Sequence, residues 1–124
     1  MLAEPSDRHI AFMALNGEGE PVGFVEASLR FDHVNGCDTS PVAFIEGVYV
    51  RPDWRRGRIA RALCEAVESW GAGAGCREMA SDALITNTVS HAFHAAVGFE
   101  ETERVVFFHK ALQTPTANAE PAKR

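Results

Sequence analysis

Apolar positions along this chain follow two rhythms, and the changes between them mark the elements. His9 to Leu15 (HIAFMAL) is a short apolar run that reads as a strand. Asn16-Gly17-Glu18-Gly19-Glu20-Pro21 is dense in turn formers, and Val22 to Phe31 alternates apolar with polar, so the two runs predict a hairpin. Asp32 to Pro41 is a polar loop containing Asn35-Gly36. Val42 to Val50 (VAFIEGVYV) is rich in β-branched and aromatic residues and predicts a buried strand, which Pro52 ends. The period then lengthens. Ile59, Leu63, Val67 and Trp70 recur at helical spacing among alanines, predicting a helix to about Trp70 that the Gly71-to-Gly75 cluster stops. Cys76 to Ala83 reads as another strand. Thr86-Asn87-Thr88 offers N-caps for a second helix through Val89, Phe93 and Val97, stopped by Gly98. Glu103 to Lys110 (ERVVFFHK) predicts a last strand, and Gln113 to Arg124 has no apolar pattern and reads as a loose tail.

The order is therefore three strands, a helix, a strand, a helix and a strand. It predicts a mixed α/β sheet, antiparallel at first and with a crossover later. With 124 residues there is room for one core, so we expect a single domain over 1–112 and a tail over 113–124. No apolar run approaches the roughly 20 residues of a membrane span. The segment from Met1 to His9 has no basic stretch leading into an apolar one, so no signal peptide is expected. Cys37, Cys64 and Cys76 form an odd set without metal-ligand spacing and read as idle thiols of a reducing compartment. A cytoplasmic location is the expectation, with neither membrane nor metal involved.

Net charge is −5, which argues against a nucleic-acid partner. The signs are unevenly placed, because Arg51, Arg55, Arg56, Arg58 and Arg61 crowd into residues 51–61 while acids such as Asp32, Asp38, Glu46, Asp82, Glu100, Glu101 and Glu103 lie elsewhere. There a buried strand, Val48-Tyr49-Val50, runs through an Arg/Gly loop into a helix. Free amides at a helix start and the positive end of its dipole make a seat for pyrophosphate, and neighbouring arginines add charged donors. On local evidence alone the same stretch reads equally well as an ordinary connection with solvated arginines. Gly71, Gly73 and Gly75 echo a dinucleotide fingerprint, but they follow a helix and so read as its terminator. His91 and His94 lie one turn apart without a third ligand nearby, and Phe93, Phe99, Phe107 and Phe108 are read as core.

The arginine stretch resembles the coenzyme A loop of GNAT acetyltransferases, whose pattern is Arg or Gln, two residues, Gly, any residue, Gly or Ala. Arg55 and Ala60 match its ends, and Arg58 stands where the family has glycine. Four further blocks are similar to the short, dimeric bacterial aminoglycoside 6'-N-acetyltransferases: Phe31 to Asp38 (FDHVNGCD), Phe44 to Gly47 (FIEG), Met79 to Asp82 (MASD) and Gly98 to Glu103 (GFEETE). The resemblance runs from about His9 to Lys110. It implies a GNAT-type sheet with helices on its faces, without the strand and two helices that usually precede the hairpin, and a homodimer.

Carried over by position, the resemblance implies that Val48, Tyr49 and Val50 line the pantetheine arm of acetyl-CoA. Arg56, Gly57, Arg58, Ile59, Ala60 and Arg61 would cradle its pyrophosphate, and Asn87 would meet the pantetheine from the second helix. Glu46, Asp82 and Glu103 would face the aminoglycoside, with His33 at a further substrate position. The chemistry agrees with those residue types. An amine arrives protonated and must lose a proton before it attacks a thioester, so a carboxylate is needed to accept it. Asp82, at the end of a strand, is the first choice, and Glu46 the second. Direct transfer in a ternary complex needs no nucleophilic thiol. Taken without the resemblance, each acid reads more readily as surface charge. A reading from another class is a non-catalytic acyl-CoA-binding or oligomerising module.

Overall fold

The structure, a computed structural model, describes residues 8–113. The tail expected from Gln113 onward therefore falls outside the described residues beyond its first position, as does most of the segment read for a signal peptide.

Four strands form one sheet in the order β1-β2-β3-β4. β1 is His9–Leu15, β2 Pro21–Arg30, β3 Val42–Val50 and β4 Glu78–Ser81. The first three are antiparallel neighbours, whereas β4 runs parallel to β3 after a crossover through helix α1, Ile59–Gly73. A second helix, α2, spans Thr88–Ala96. The hairpin turn closes as its composition predicts. The Asn16 side-chain oxygen accepts from the amides of Glu18 and Glu20, each at 2.9 Å.

The core lies between the sheet and α1. Val25, Ala27, Ala43 and Ile45 meet Leu63, Cys64 and Val67, all buried. Leu63 and Val67 sit one turn apart, as the helical spacing requires. Burial pushes the Cys64 thiol up to about 11, so it stays protonated and inert. Cys37, Cys64 and Cys76 are all free thiols.

Three expectations need correction. α1 runs through Gly71 to Gly73, and Gly71 is buried in it. A Cβ on Gly71 would stand 2.8 Å from the Cβ of Ala43, so this glycine permits close helix–sheet approach and does not stop the helix. The stop comes later, where the amides of Gly75 and Cys76 bond back to the carbonyls of Ala72 and Gly71 at 3.1 and 2.9 Å. β4 is also shorter than expected, four residues in place of Cys76 to Ala83. The expected strand over Glu103 to Lys110 is the third: residues 101–113 form neither helix nor strand. Phe107 and Phe108, read as core, are 84% and 92% exposed, whereas Phe93 and Phe99 pack against the core as expected. β-Propensity is realised only against a partner edge, and the described residues give this stretch none.

Candidate active site

β3 and β4 stay paired for four residues only. Val42 to Ile45 face Glu78 to Ser81, and Ile45–Ser81 is the last pair. On the other side of β3 the register with β2 slips at the same level: Glu26 faces Gly47 and Ala27 faces Ile45, which leaves Glu46 as the extra residue of a β-bulge. A bulge bends its strand and strengthens the local twist, so the rest of β3, Gly47 to Val50, runs on beside β2 after β4 has ended. The result is a fork with Glu46 and Asp82 at its mouth, each one residue past the last pair.

The open side of that fork has amides on it. Arg51 donates its amide to the Val22 carbonyl at 2.8 Å. Hydrogen-bonding residues alternate along an antiparallel strand, so Tyr49 also turns to β2, while Val48 and Val50 present their backbone polar groups to the gap. The Val50 carbonyl is accounted for, because Arg55 Nε donates to it at 2.8 Å. The Arg55 guanidinium also lies over the Tyr49 ring, 5.6 Å from its centroid. Val48 is half-buried, Tyr49 exposed and Val50 buried.

Beyond Val50 a single 3₁₀ turn, Pro52–Trp54, leads into the arginine loop. Arg56 and Arg58 both adopt left-handed backbone, with φ of 70° and 69°. For residues with a Cβ this conformation costs about 1–2 kcal/mol each. Sequence reasoning found the glycine-like demand at Arg58 but missed it at Arg56, where only the backbone shows it. Gly57, between them, has ordinary φ and would accept a Cβ, its nearest contact being the Trp54 carbonyl at 3.6 Å. Arg58 is the N-cap of α1, with no side chain capping the helix and no acid in its first turn. The amides of Ile59, Ala60 and Arg61 therefore face out from the positive end of a 15-residue helix. The Arg61 guanidinium points elsewhere, donating to the Ala96 carbonyl at the end of α2 at 2.8 Å, so only its backbone belongs to the loop.

Glu46 is the most heavily engaged acid. Its Oε2 accepts from the Ser28 hydroxyl at 2.5 Å, and Arg30 Nη2 bridges both carboxylate oxygens at 3.0 and 3.1 Å. Burial raises its pKa, but the bonds from Ser28 and Arg30, with the charges of Arg30 and His9, outweigh burial and hold it below the ordinary glutamate value. Asp82, by contrast, is exposed and has no ion-pair partner among the described residues. Ser81, between Asp82 and the paired region, is tied to α2: its hydroxyl lies 2.9 Å from His94 Nε2, while His94 Nδ1 lies 2.7 Å from the Ser90 carbonyl. The carbonyl can only accept, so Nδ1 carries the proton and Nε2 accepts from Ser81. His91 Nε2 goes to the Leu84 carbonyl at 2.9 Å. Both histidines thus hold the start and flank of α2 in place.

Asn87 is the N-cap of α2, its side-chain oxygen accepting from the Ser90 amide at 3.1 Å. Its amide NH₂ is the part that remains for a ligand. His33 is exposed in the loop between β2 and β3, and Glu103 is exposed one residue after Thr102. Thr102 packs on Gly36, where a Cβ would come within 2.4 Å of its hydroxyl oxygen, so the segment bearing Glu103 and the loop bearing His33 share one corner. Glu78 pins that loop, accepting from the amides of Asp38 and Thr39 at 2.9 and 2.8 Å and from the Thr39 hydroxyl. Residues missed from sequence are Ser28, Arg30 and Phe24. Their alternation along β2 carried the signal that they share the sheet face turned away from the core residues Val25 and Ala27. On that face Phe24 and Tyr49, 6.2 Å apart, line a hollow of about 290 Å³ together with Met13, Glu26 and Arg51.

Residues 2–99 match the Acetyltransferase (GNAT) family. The chain is 51% identical over 102 residues to the aminoglycoside N(6')-acetyltransferase type 1 of Salmonella typhimurium, covering 82% of this chain and 70% of that protein. Its identity to the enzyme of the same name from Stenotrophomonas maltophilia is 52%, over 82% of this chain and 67% of the other. Among solved structures, AAC(6')-Iy in complex with the bisubstrate analog CoA-S-monomethyl-acetylneamine superposes with a TM-score of 0.82 at 50% identity, over 86% of this chain and 72% of that one. AAC(6')-Iy in complex with CoA gives the same TM-score of 0.82 and covers 79% of that chain. The chain therefore belongs to the GNAT acetyltransferase family, in its aminoglycoside 6'-N-acetyltransferase branch.

Proposed function

We propose that this chain transfers the acetyl group of acetyl-CoA to the 6'-amine of an aminoglycoside by direct attack in a ternary complex. The observation that carries the reading is the fork itself, where Glu46 and Asp82 flank the end of the Ile45–Ser81 pair and the open edge of β3 leads to the arginine loop. The co-substrate fits the residues present. The gap beside Val48 and Val50 suits the extended pantetheine arm, with strand amides to polarise the thioester carbonyl. The uncapped start of α1 offers amides to the pyrophosphate, and the left-handed backbone at Arg56 and Arg58 shapes the loop around it. Asn87 has an NH₂ for the pantetheine.

The amine is then held at the fork mouth. Asp82 accepts the ammonium proton, directly or through a water, and the freed amine attacks the carbonyl carbon. As the tetrahedral adduct collapses the carbon–sulfur bond breaks, and the proton shed by the attacking nitrogen goes to the departing sulfur, so coenzyme A leaves as the thiol. Glu46, whose carboxylate already accepts from Ser28 and Arg30, orients the amine by hydrogen bonding. Glu103 and His33, brought to one corner by the Thr102–Gly36 contact, meet more distant groups of the substrate. The acids together favour a polycation over a neutral sugar.

The exposed apolar run Val105 to Phe108 supports a homodimer in which a second copy covers it. No helix among the described residues is long and apolar enough to cross a membrane, and we assign the protein to the cytoplasm, where acetyl-CoA is made and free thiols persist. Calorimetric titration with acetyl-CoA, followed by kanamycin with a free-thiol readout, tests the function. Binding with thiol release is expected. Binding without release would make the chain a silent coenzyme A module.

A further inference from the structure

Building on the reading that Glu46 and Asp82 meet the substrate amine, we infer that Arg30 is a specificity-setting residue that masks the charge of Glu46 and leaves Asp82 as the principal anionic contact at the fork. Neither carboxylate oxygen of Glu46 is unengaged. One nitrogen of Arg30 bridges the two oxygens at 3.0 and 3.1 Å, and Ser28 donates to Oε2 as well. Arg30 is itself fixed, its guanidinium stacked 3.6 Å above the Phe44 ring centroid, and Phe44 is buried at 7% exposure. The pair is therefore an ordered feature of this face, unlike a typical surface ion pair between two mobile side chains. The Glu46 side chain is still 31% exposed, so a ligand can reach it.

Two consequences follow from charge and geometry. A carboxylate has about four lone-pair positions, and Ser28 and Arg30 use three contacts on them, so Glu46 retains room for a donor on Oε1. It can orient an amine while contributing little net charge. Asp82, with no ion-pair partner among the described residues, supplies the attraction that selects a cation. Arg30 thus limits how strongly the fork holds a polycationic substrate.

The test uses the full chain and kanamycin as the polycationic probe, with steady-state kinetics at low and high salt. Arg30→Gln keeps a planar group over Phe44 and a donor toward Glu46 but removes the charge. It should lower the KM for kanamycin about fivefold at low salt, as one unmasked charge near the surface would. That gain should fade at high salt, with the KM for acetyl-CoA unchanged, and Arg30→Lys should stay near the parent value. A merely structural arginine would move none of these selectively. An unchanged or raised kanamycin KM in an Arg30→Gln protein that melts normally would overturn the inference. If that variant melts low, Arg30→Lys decides: a kanamycin KM shifted as far as in Arg30→Gln overturns the inference, and a parental one supports it. Glu46→Gln separates the two layers. If it alone leaves the kanamycin KM unchanged, the underlying reading of Glu46 fails; if it raises the KM while Arg30→Gln does not lower it, only the role of Arg30 fails.

Discussion

Ile45 and Ser81 are the last residues that β3 and β4 pair, and one step beyond them Glu46 and Asp82 stand on either side of the opening. Far apart in sequence, the two acids each lie one residue beyond the same last pair of the sheet, yet their surroundings differ. Glu46 is bonded to Ser28 and Arg30, and Asp82 is open to solvent. That difference underlies the proposed division of labour, in which the engaged acid orients the amine and the open one accepts its proton.

Asp82→Asn follows from that division. Turnover with kanamycin should fall by about 10²–10⁴-fold, the usual contribution of a positioned base, while acetyl-CoA affinity stays the same. Single-turnover kinetics with a thiol readout and calorimetry make the comparison. Turnover equal to the parent would remove Asp82 from the mechanism.

Arg58→Gly should relieve a left-handed backbone that costs a residue with a Cβ about 1–2 kcal/mol, less the roughly 0.5–1 kcal/mol of extra chain entropy that glycine brings. We expect a small net stabilisation in urea melts and tighter acetyl-CoA binding. Weaker binding in a protein of equal or higher stability would show that the Arg58 side chain itself contacts phosphate.

Gly71→Ala reverses the ordinary helix ranking. Alanine is the better helix former by about 1 kcal/mol, but its methyl would stand 2.8 Å from the Ala43 methyl. Overpacking of this kind costs about 1–3 kcal/mol, so the variant should be destabilised overall, and Ala43→Gly should recover part of the loss in a double-mutant cycle. A more stable Gly71→Ala protein would show that α1 can move off the sheet.

Glu78 links stability to pH. Its carboxylate is held below the ordinary glutamate range by hydrogen bonds from the Thr39 hydroxyl and from the amides of Asp38 and Thr39. A pKa depressed in the folded state means that the contribution is fully present above the unfolded glutamate value and lost as pH falls through the folded one. Urea melts of Glu78→Gln should show lower stability than the parent at neutral pH and a smaller decline on acidification. Parallel pH profiles for the two proteins would count against the clasp.

Leu63→Ala tests the core beneath the site. The side chain is 5% exposed between α1 and the sheet, and its loss should cost about 2–5 kcal/mol by equilibrium unfolding. A loss below that range would mean that the helix closes over the space.

Much of this protein was legible from local pattern. The hairpin, the buried strand over Val42–Val50, both helices and the stop at Gly98 follow from period and turn chemistry, because each is fixed by residues within a few positions of one another. The family blocks likewise brought Glu46, Asp82 and the arginine loop to attention as sequence. What the sequence could not decide depends on residues that meet only after folding. The bulge at Glu46 arises from a register slip between β2 and β3, and the masking of its charge from Arg30 on the neighbouring strand. Gly71 reads as a helix stop until Ala43 is seen beneath it. The run from Val105 to Phe108 has the composition of a strand, but a strand also needs an edge to bond to, and composition does not supply one. Local sequence determined which elements form; the tertiary structure decided which groups face one another, since hydrogen bonding, charge and packing act over a few ångströms regardless of distance along the chain.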